Sequence, residues 1–393
     1  MKKRKLCIIT GSRAEWGLFY PLAKEIKRDQ QSFVLQIIAC GSHLSSRFGL
    51  TCREIEEDGF KIDRGIRTLT PGNTKDAIVN SVSSGIKKVA SALKSLKPDL
   101  VILLGDRFET FAASAACLFL GVPIAHIHGG ELTEGSMDDA MRHAITKMSY
   151  LHFTSTDTYR KRVIRMGEEP ERVFTVGALG LDNIRKRDLL TRKELEREIK
   201  FKLGKKNIII TFSPCTAEKK EATIRQFDSL LGAVRRLQGV NLIFTKPNPD
   251  LYSGIITGQI DGYVAKNRNK AVSFVSMGRR LYLSALQFMD VVAGNSSSGI
   301  IEAPSFGIPT VNIGRRQGGR VKAASVIDVG DGIEPVRRAF KKAFSARFKK
   351  KCKNVTNPYK NTNTAKRIVR LIKKTDLSAP KKNFYETTIK RGV

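Results

Sequence analysis

The sequence predicts an α/β chain built as two doubly wound, Rossmann-like domains. Short apolar runs alternate with helix-length amphipathic stretches. The runs are apolar throughout rather than at every second residue, and the rhythm breaks and restarts near residues 180–205. Strands of that kind belong to parallel sheets covered by helices on both faces. The expected division is residues 1–185, residues 186–360, and a basic segment, 361–393, that is helical and packs back on the first domain.

In the first domain Lys5–Thr10 reads as a strand ending in Gly11-Ser12-Arg13, followed by a helix over about Gly17–Asp29. Phe33–Cys40 is a second strand, closed by Gly41-Ser42-His43. Ser81–Leu96 puts Val82, Ile86, Val89, Ala90 and Leu93 on one stripe, a helix stopped by Lys97-Pro98-Asp99. The strand Leu100–Leu104, the small-residue helix Thr110–Leu120 and the strand Val122–His128 follow, with another helix from about Met137.

In the second domain Thr191-Arg192-Lys193-Glu194 is a capping-box sequence opening a charged helix that ends by Gly204. Ile208–Phe212, Val240–Thr245, Ala271–Val275 and Val291–Ala293 read as strands, Thr223–Leu237 and Arg280–Leu286 as helices. After Pro335, the residues Val336, Ala339, Phe340, Ala343, Phe344 and Phe348 recur at helical spacing, with Arg337, Arg338, Lys341, Lys342 and Lys349 outside the stripe. That is a core-docked helix with a solvated basic face, or else a membrane- or nucleic-acid-binding helix.

With 41% apolar and 27% charged residues, 32 Gly and 13 Pro, the composition excludes disordered, collagen-like and disulfide-scaffold classes. No apolar run approaches the roughly 20 residues of a membrane-spanning helix. Met1–Lys5 is basic, but Leu6–Ile9 is too short for an export signal, so a cytoplasmic protein is expected. The six cysteines form no C-x-x-C pair, which suits a reducing compartment and speaks against structural zinc. Lys and Arg outnumber Asp and Glu by 70 to 37, a net charge of +33; from Glu334 onward the count is 19 to 3. Such an excess favours anionic partners: nucleic acid, an acidic membrane or a phosphorylated small molecule.

Ligands of open parallel sheets bind beyond the carboxyl ends of the strands. Those positions hold Gly11–Glu15, Gly105–Glu109, His126–Glu131, Lys246-Pro247-Asn248 and Gly294–Gly299. Gly294–Gly299 runs into a helix expected over Gly299–Pro304, which makes it a phosphate-binding candidate or a simple Ser-capped helix start. Asp106 and Arg107 turn out of a buried strand together. They are an internal ion pair, or a proton-transfer group beside an anion-binding one. His126–Lys147 collects Glu131, Glu134, Asp138, Asp139, Arg142 and His143, with Asp138 and Arg142 at helical i,i+4 spacing, as are Asp139 and His143. Several carboxylates and an imidazole in one place are what acid–base chemistry requires. His126 and His128 on one strand face would also admit a metal, although the strand is buried and runs on into Gly129-Gly130. Neither a G-x-x-x-x-G-K-[ST] loop nor a G-x-G-x-x-G turn is present.

Taken in order, these segments resemble the UDP-N-acetylglucosamine 2-epimerase family, and within it the hydrolysing branch of the sialic- and legionaminic-acid type. The resemblance is carried by Gly11–Glu15, Gly105–Glu109, His126–Glu131 with Thr133-Glu134-Gly135, Arg142–Lys147, Val176-Gly177, Asp182-Asn183, Lys246–Asn248, Gly294–Ser297, Asn312–Gly314 and Arg316-Gln317. It implies a glycosyltransferase-B-like fold with the active site in the interdomain cleft and no cofactor or metal. The implied activity takes UDP-N-acetylglucosamine to UDP and N-acetylmannosamine, by elimination and hydration with inversion at carbon 2. The alternative within the class is a UDP- or GDP-linked 2,4-diacetamido-2,4,6-trideoxy sugar. The resemblance makes Asp106, Glu131 and Asp138 the acid/base set, with His128 and Arg142 in support. It places Arg13, Ala14, Arg107, Ser213, Asn248, Ser296, Ser297, Gly299, Glu302 and Arg316 on the UDP-sugar. It also implies a homodimer or homotetramer. A non-catalytic nucleic-acid- or anion-binding protein is the reading from another class, though the basic–aromatic surface motifs of such proteins are missing. The sequence departs from the family pattern at Ser213, where a histidine often contacts substrate, at His128, where some members carry a catalytic glutamate, and at Arg315, usually acidic or neutral.

Overall fold

Arg4–Thr10 forms the first strand, β1, and Ser12 accepts a hydrogen bond from the Glu15 amide to open α1 (Arg13–Arg28). The structure, a computed structural model, describes residues 3–72, 74–134, 136–184, 188–215, 218–248, 251–378 and 380–386. The first unit continues with β2 (Phe33–Ala39), α2 (Cys52–Glu57), β3 (Arg64–Gly65), α3 (Lys75–Leu96), β4 (Leu100–Leu104), α4 (Phe108–Phe119), β5 (Ile124–Ile127), α5 (Asp138–Met148), β6 (Leu151–Thr154), α6 (Asp157–Arg165) and β7 (Val173–Thr175). Its seven strands lie in the order β3-β2-β1-β4-β5-β6-β7, all parallel. The order reverses between β1 and β4, and a crevice opens beyond their carboxyl ends at such a reversal.

The second unit holds α7 (Arg192–Ile199), β8 (Lys206–Thr211), α8 (Lys220–Arg235), β9 (Val240–Thr245), α9 (Ser253–Lys266), β10 (Ala271–Phe274), α10 (Gly278–Leu286), β11 (Val291–Gly294), α11 (Ser298–Ile301), β12 (Thr310–Ile313), β13 (Val326–Val329), α12 (Ile333–Phe344) and α13 (Ala346–Lys353). Its parallel sheet runs β10-β9-β8-β11-β12-β13, with the reversal between β8 and β11. The expected capping box opens α7: Thr191 and Glu194 bond each other's backbone amides. α14 (Thr364–Lys374) returns to the first unit, where Ile368, Val369 and Ile372 share a core with Phe19, Leu22 and Ile26 of α1.

The units comprise Met1–Glu131, Asp138–Asp182 and Asn361–Val393 on one side, Leu132–Met137 and Asn183–Lys360 on the other. Leu132–Met137 therefore groups with the second unit, although the sequence reading put it in the first. The boundary expected at 185/186 lies within 185–187, outside the described residues, as do Gly135 of the Thr133–Gly135 motif and residues 387–393 of the basic segment.

Several elements differ from their expectation. α1 starts at Arg13 because Ser12 caps it, which puts Arg13 and Ala14 on the first helical turn. α3 begins six residues early, capped by Thr74. The strand expected to run to His128 ends at Ile127, because His128 has φ +67. The single helix after Pro335 is two, broken where extended Ser345 caps α13 through the Phe348 amide. Its apolar stripe is docked: Val336, Ala339, Phe340 and Ala343 are buried in the second core. Among the described residues of the segment expected to be helical over 361–393, helix covers Thr364–Lys374, and residues 380–386 carry none. There Lys382 Nζ lies 2.7 Å from the buried Glu168 carboxylate, which also takes Lys147 at 2.7 Å and His152 at 2.9 Å.

Candidate active site

β4 ends in Gly105, whose φ of +79 turns the chain so that Asp106 leaves the sheet and α4 begins two residues on. Asp106 pairs with the Arg142 guanidinium of α5. Arg142 is 3% exposed, and its other terminal nitrogen reaches Glu131 Oε2 at 3.4 Å and the His128 carbonyl at 3.2 Å. Burial opposes the arginine's charge, but Asp106, Glu131 and Asp138 outweigh it and raise its pKa. Glu131 Oε1 accepts from Ser155 Oγ at 2.7 Å and lies 2.6 Å from His128 Nδ1. The sequence thus folds three strand ends, those of β4, β5 and β6, onto one buried cluster of Asp106, His128, Glu131, Arg142 and Ser155.

His126 stands two residues before His128 and belongs to the scaffold. Its Nε2 meets the Gly105 carbonyl at 2.7 Å and its Nδ1 the Thr146 hydroxyl at 3.1 Å, while burial lowers its pKa to about 3. A neutral ring spans β5, the β4 turn and α5, so the two histidines do not act as a pair.

Beside the end of β1, Arg107 pairs with Glu109, Nε to Oε2 at 3.1 Å and Nη2 to Oε1 at 3.3 Å. Glu15 accepts the Gly11 amide at 2.6 Å, and burial together with the Glu109 charge pushes its pKa up to about 7. Gly11 packs against the Glu109 side chain with room for no substituent beyond a tight Cβ. Arg13 lies half-buried, 3.8 Å from Glu54, and Ala14 is exposed.

In the second unit Asn295, fully buried after β11, clamps the end of β8. Its Oδ1 accepts the Ser213 amide at 2.7 Å and its Nδ2 donates to the Ser213 carbonyl at 2.8 Å. The Asn295 carbonyl in turn accepts from Arg316 at 3.0 Å and from Gln317 at 2.8 Å. Gly294 makes this possible: at φ +121 any Cβ would overlap the Thr211 carbonyl. Ser298 N donates to Ser296 Oγ at 3.3 Å, and Tyr282 Oη lies 2.5 Å from Ser298 Oγ. Beyond Ser296 and Ser297 the expected helix Gly299–Pro304 is one turn, Ser298–Ile301, and then a 3-10 turn over Ala303–Phe306. Four residues supply little helix dipole, so any phosphate held there relies on individual hydroxyl and amide groups and on Arg316.

Of the residues singled out by sequence, Asp106, His128, Glu131 and Arg142 meet directly, and Asp138 acts on Arg142 through its charge. Ser213, Ser296 and Arg316 are gathered around Asn295, with Gly299 and Glu302 on and just after α11. Asn248 is exposed, beyond β9. Asn295 and Ser155 received no role from sequence. Both are polar residues directly after a buried strand, the same signal that marks Asp106, but β6 was too short to be recognised and Asn295 was read only as part of a serine loop.

Two parallel Rossmann-like sheets, each with charged and hydroxyl side chains beyond its switch point, define a glycosyltransferase-B-like α/β fold. The solved UDP-GlcNAc 2-epimerase from Neisseria meningitidis bound to UDP-GlcNAc shares it, with a TM-score of 0.78 at 19% identity over 94% of this chain and 100% of that one. The Methanocaldococcus jannaschii enzyme in complex with UDP-GlcNAc and UDP does too, at 0.74 and 17% over 94% and 99%. The sequence profile of the family described as UDP-N-acetylglucosamine 2-epimerase matches residues 24–373. The chain belongs to that family. It is 42% identical to the GDP/UDP-N,N'-diacetylbacillosamine 2-epimerase (hydrolyzing) of Campylobacter jejuni, over 89% of this chain and 90% of the relative. To the UDP-N,N'-diacetylbacillosamine 2-epimerase (hydrolyzing) of Legionella pneumophila it is 34% identical, over 94% and 96%. To the UDP-N-acetylglucosamine 2-epimerase of Neisseria meningitidis it is 29% identical, over 83% of each.

Proposed function

We propose that this protein is a hydrolysing 2-epimerase of a UDP- or GDP-linked 2,4-diacetamido-2,4,6-trideoxy sugar. The observation that carries the substrate is the 42% identity to the Campylobacter jejuni enzyme of that activity. The reading first set by the motifs, hydrolysis of UDP-N-acetylglucosamine, is displaced to second place, since the relative named for that substrate is 29% identical.

The chemistry asks for a group that removes the proton at carbon 2 while the nucleoside diphosphate leaves carbon 1, and for a second proton transfer as water adds. In this reading Asp106, Glu131 and Asp138 form the acid/base set, with His128 and Arg142 in support. A cluster of carboxylates compensated by one arginine can hold some members ionised and others protonated. Arg13 and Arg107 of the first unit, and Ser213, Asn248, Ser296, Ser297, Glu302 and Arg316 of the second, hold the nucleotide and its phosphates. Arg107 suits that role because its fork already faces a carboxylate, and a phosphate offers the same bidentate geometry. We place the enzyme in the cytoplasm as a homo-oligomer; no helix of the described residues is long and apolar enough to cross a membrane.

Proton NMR in heavy water tests the reading. The purified protein is given the UDP- and GDP-linked diacetamido sugars and UDP-N-acetylglucosamine in separate tubes. Free sugar with deuterium at carbon 2, released fastest from a diacetamido substrate, supports the reading. Faster release from UDP-N-acetylglucosamine restores the first one, and release from none rejects both.

A further inference from the structure

We infer that His128, through Nε2, is the base that takes the carbon-2 proton, and that Glu131 and Ser155 are positioning residues that hold its ring. The inference rests on the hydrolysing-epimerase reading above; within its acid/base set it moves Glu131 from proton transfer to positioning, and it names the atom at which the first step occurs.

Three observations meet at this residue. His128 has φ +67, a left-handed conformation that a histidine adopts only at a cost, and the chain has glycines in the next two positions to relieve the turn. Its Nδ1 lies 2.6 Å from Glu131 Oε1, while its Nε2 is buried with no hydrogen-bond partner among the described residues. Glu131 itself is poorly placed to be the base: Oε1 already accepts from Ser155 at 2.7 Å, and Oε2 faces Arg142 at 3.4 Å. A carboxylate so satisfied orients the imidazole it faces, as in other carboxylate–histidine pairs.

The other histidines of the interior show what a purely structural ring looks like. His126 and His43 engage both nitrogens. His152 also faces a glutamate and leaves Nδ1 unpartnered, but it sits in regular strand, 1% exposed, and its Glu168 is shared by Lys147 and Lys382. His128 lies just past the end of β5 rather than within a strand, its side chain 9% exposed and its Nε2 buried.

In the neutral ring Nδ1–H donates to Glu131, leaving the Nε2 lone pair free. Nε2 gains the proton as the carbon 2–hydrogen bond breaks, that electron pair becomes the carbon 1–carbon 2 double bond, and the carbon 1–oxygen bond breaks with its pair leaving on the diphosphate. The imidazolium rests against ionised Glu131. Water then gives its oxygen to carbon 1 and a hydrogen to carbon 2, and Nε2 returns its proton to solvent.

The test uses His128→Gly and His128→Asn, both of which tolerate positive φ, so the backbone is kept. UDP affinity is measured by calorimetry, and sugar release in heavy water by NMR. Both variants are expected to hold UDP like the parent while release falls by about 10²-fold or more. Added imidazole restores release to His128→Gly alone. Adding Glu131→Gln to His128→Gly costs nothing further, since Glu131 acts only through the ring. Release from His128→Gly within about tenfold of the parent, with Glu131→Gln alone inactive, gives the base to Glu131 and overturns the inference. Loss of UDP affinity in both His128 variants makes the residue structural and overturns it as well. A parent protein that releases nothing from any of the three nucleotide sugars overturns the functional reading and this inference together, an outcome separate from the variant results.

Discussion

Asp106 takes its ion-pair partner from Arg142, 36 residues along the chain, and not from Arg107 beside it. Arg107 turns the other way, to Glu109. Asp106, Arg107 and Glu109, neighbours in sequence, are thereby divided between different tasks. One pair closes the cluster around Glu131, and the other leaves a cationic fork beside the end of β1.

Arg142 bridges Asp106 and Glu131, and it is 3% exposed. Arg142→Met should therefore destabilise the protein by about 3–5 kcal/mol, the cost of stranding buried charge. Urea unfolding of parent and variant measures the difference; a midpoint unchanged at equal slope would show that the carboxylates do not need this cation.

Asp106→Asn keeps the shape and a hydrogen-bond acceptor for Arg142 but cannot carry a proton in the same way. Sugar release is expected to fall by about 10²-fold or more, in line with general acid–base contributions, while UDP affinity stays near that of the parent. Unaltered turnover would remove Asp106 from the chemistry.

Arg107→Ala should act on binding instead. Hydrogen bonds to charged groups are worth about 1.5–3 kcal/mol, so UDP affinity should drop by roughly ten- to a hundredfold. Calorimetric titration with UDP reads this directly, and an unchanged dissociation constant would reject Arg107 as a phosphate ligand.

Glu15 makes stability depend on pH. Burial and Glu109 raise its pKa from 4.5 to about 7, so the folded state holds a proton that the unfolded state gives up. The sign follows: this contribution is complete below about pH 4.5 and is lost as pH rises to about 7, on the order of 3 kcal/mol in all. Glu15→Gln should flatten that part of the stability profile. The parent-minus-variant difference in urea midpoint between pH 4.5 and 7.5 is the measurement, and a difference independent of pH would place the Glu15 charge in water.

Much of this site could be seen beforehand, for reasons that differ by element. The loops after β1, β4, β5 and β11 announce themselves because long apolar runs end abruptly in glycine and charge. Gly105 and Gly294 have the positive φ that such turns need. The strands β6 and β7 escaped notice because four and three residues, Leu151–Thr154 and Val173–Thr175, are too few to show a period. Side-chain partners escaped for another reason. Helical spacing links Asp138 to Arg142, but only the placement of α5 against the ends of β4 and β5 brings Arg142 to Asp106 and Glu131. The break at Ser345 was hidden by an apolar stripe that runs on through Phe344 and Phe348 while the backbone changes direction between them.

The carboxylate of Asp182 receives the backbone amides of Thr364 and Ala365 at 3.1 and 2.7 Å, partners that lie 182 and 183 residues downstream. On the ribosome that interval is time. The first half of the protein emerges with Phe19, Leu22 and Ile26 still waiting for Ile368, Val369 and Ile372, and the whole of the second unit is made before they arrive. Nascent chains with apolar surface left bare are the ones chaperones shield. The order of maturation is therefore the reverse of the order of synthesis: the unit begun first is sealed last, and a message cut short before α14 yields an unfinished first unit rather than a working half.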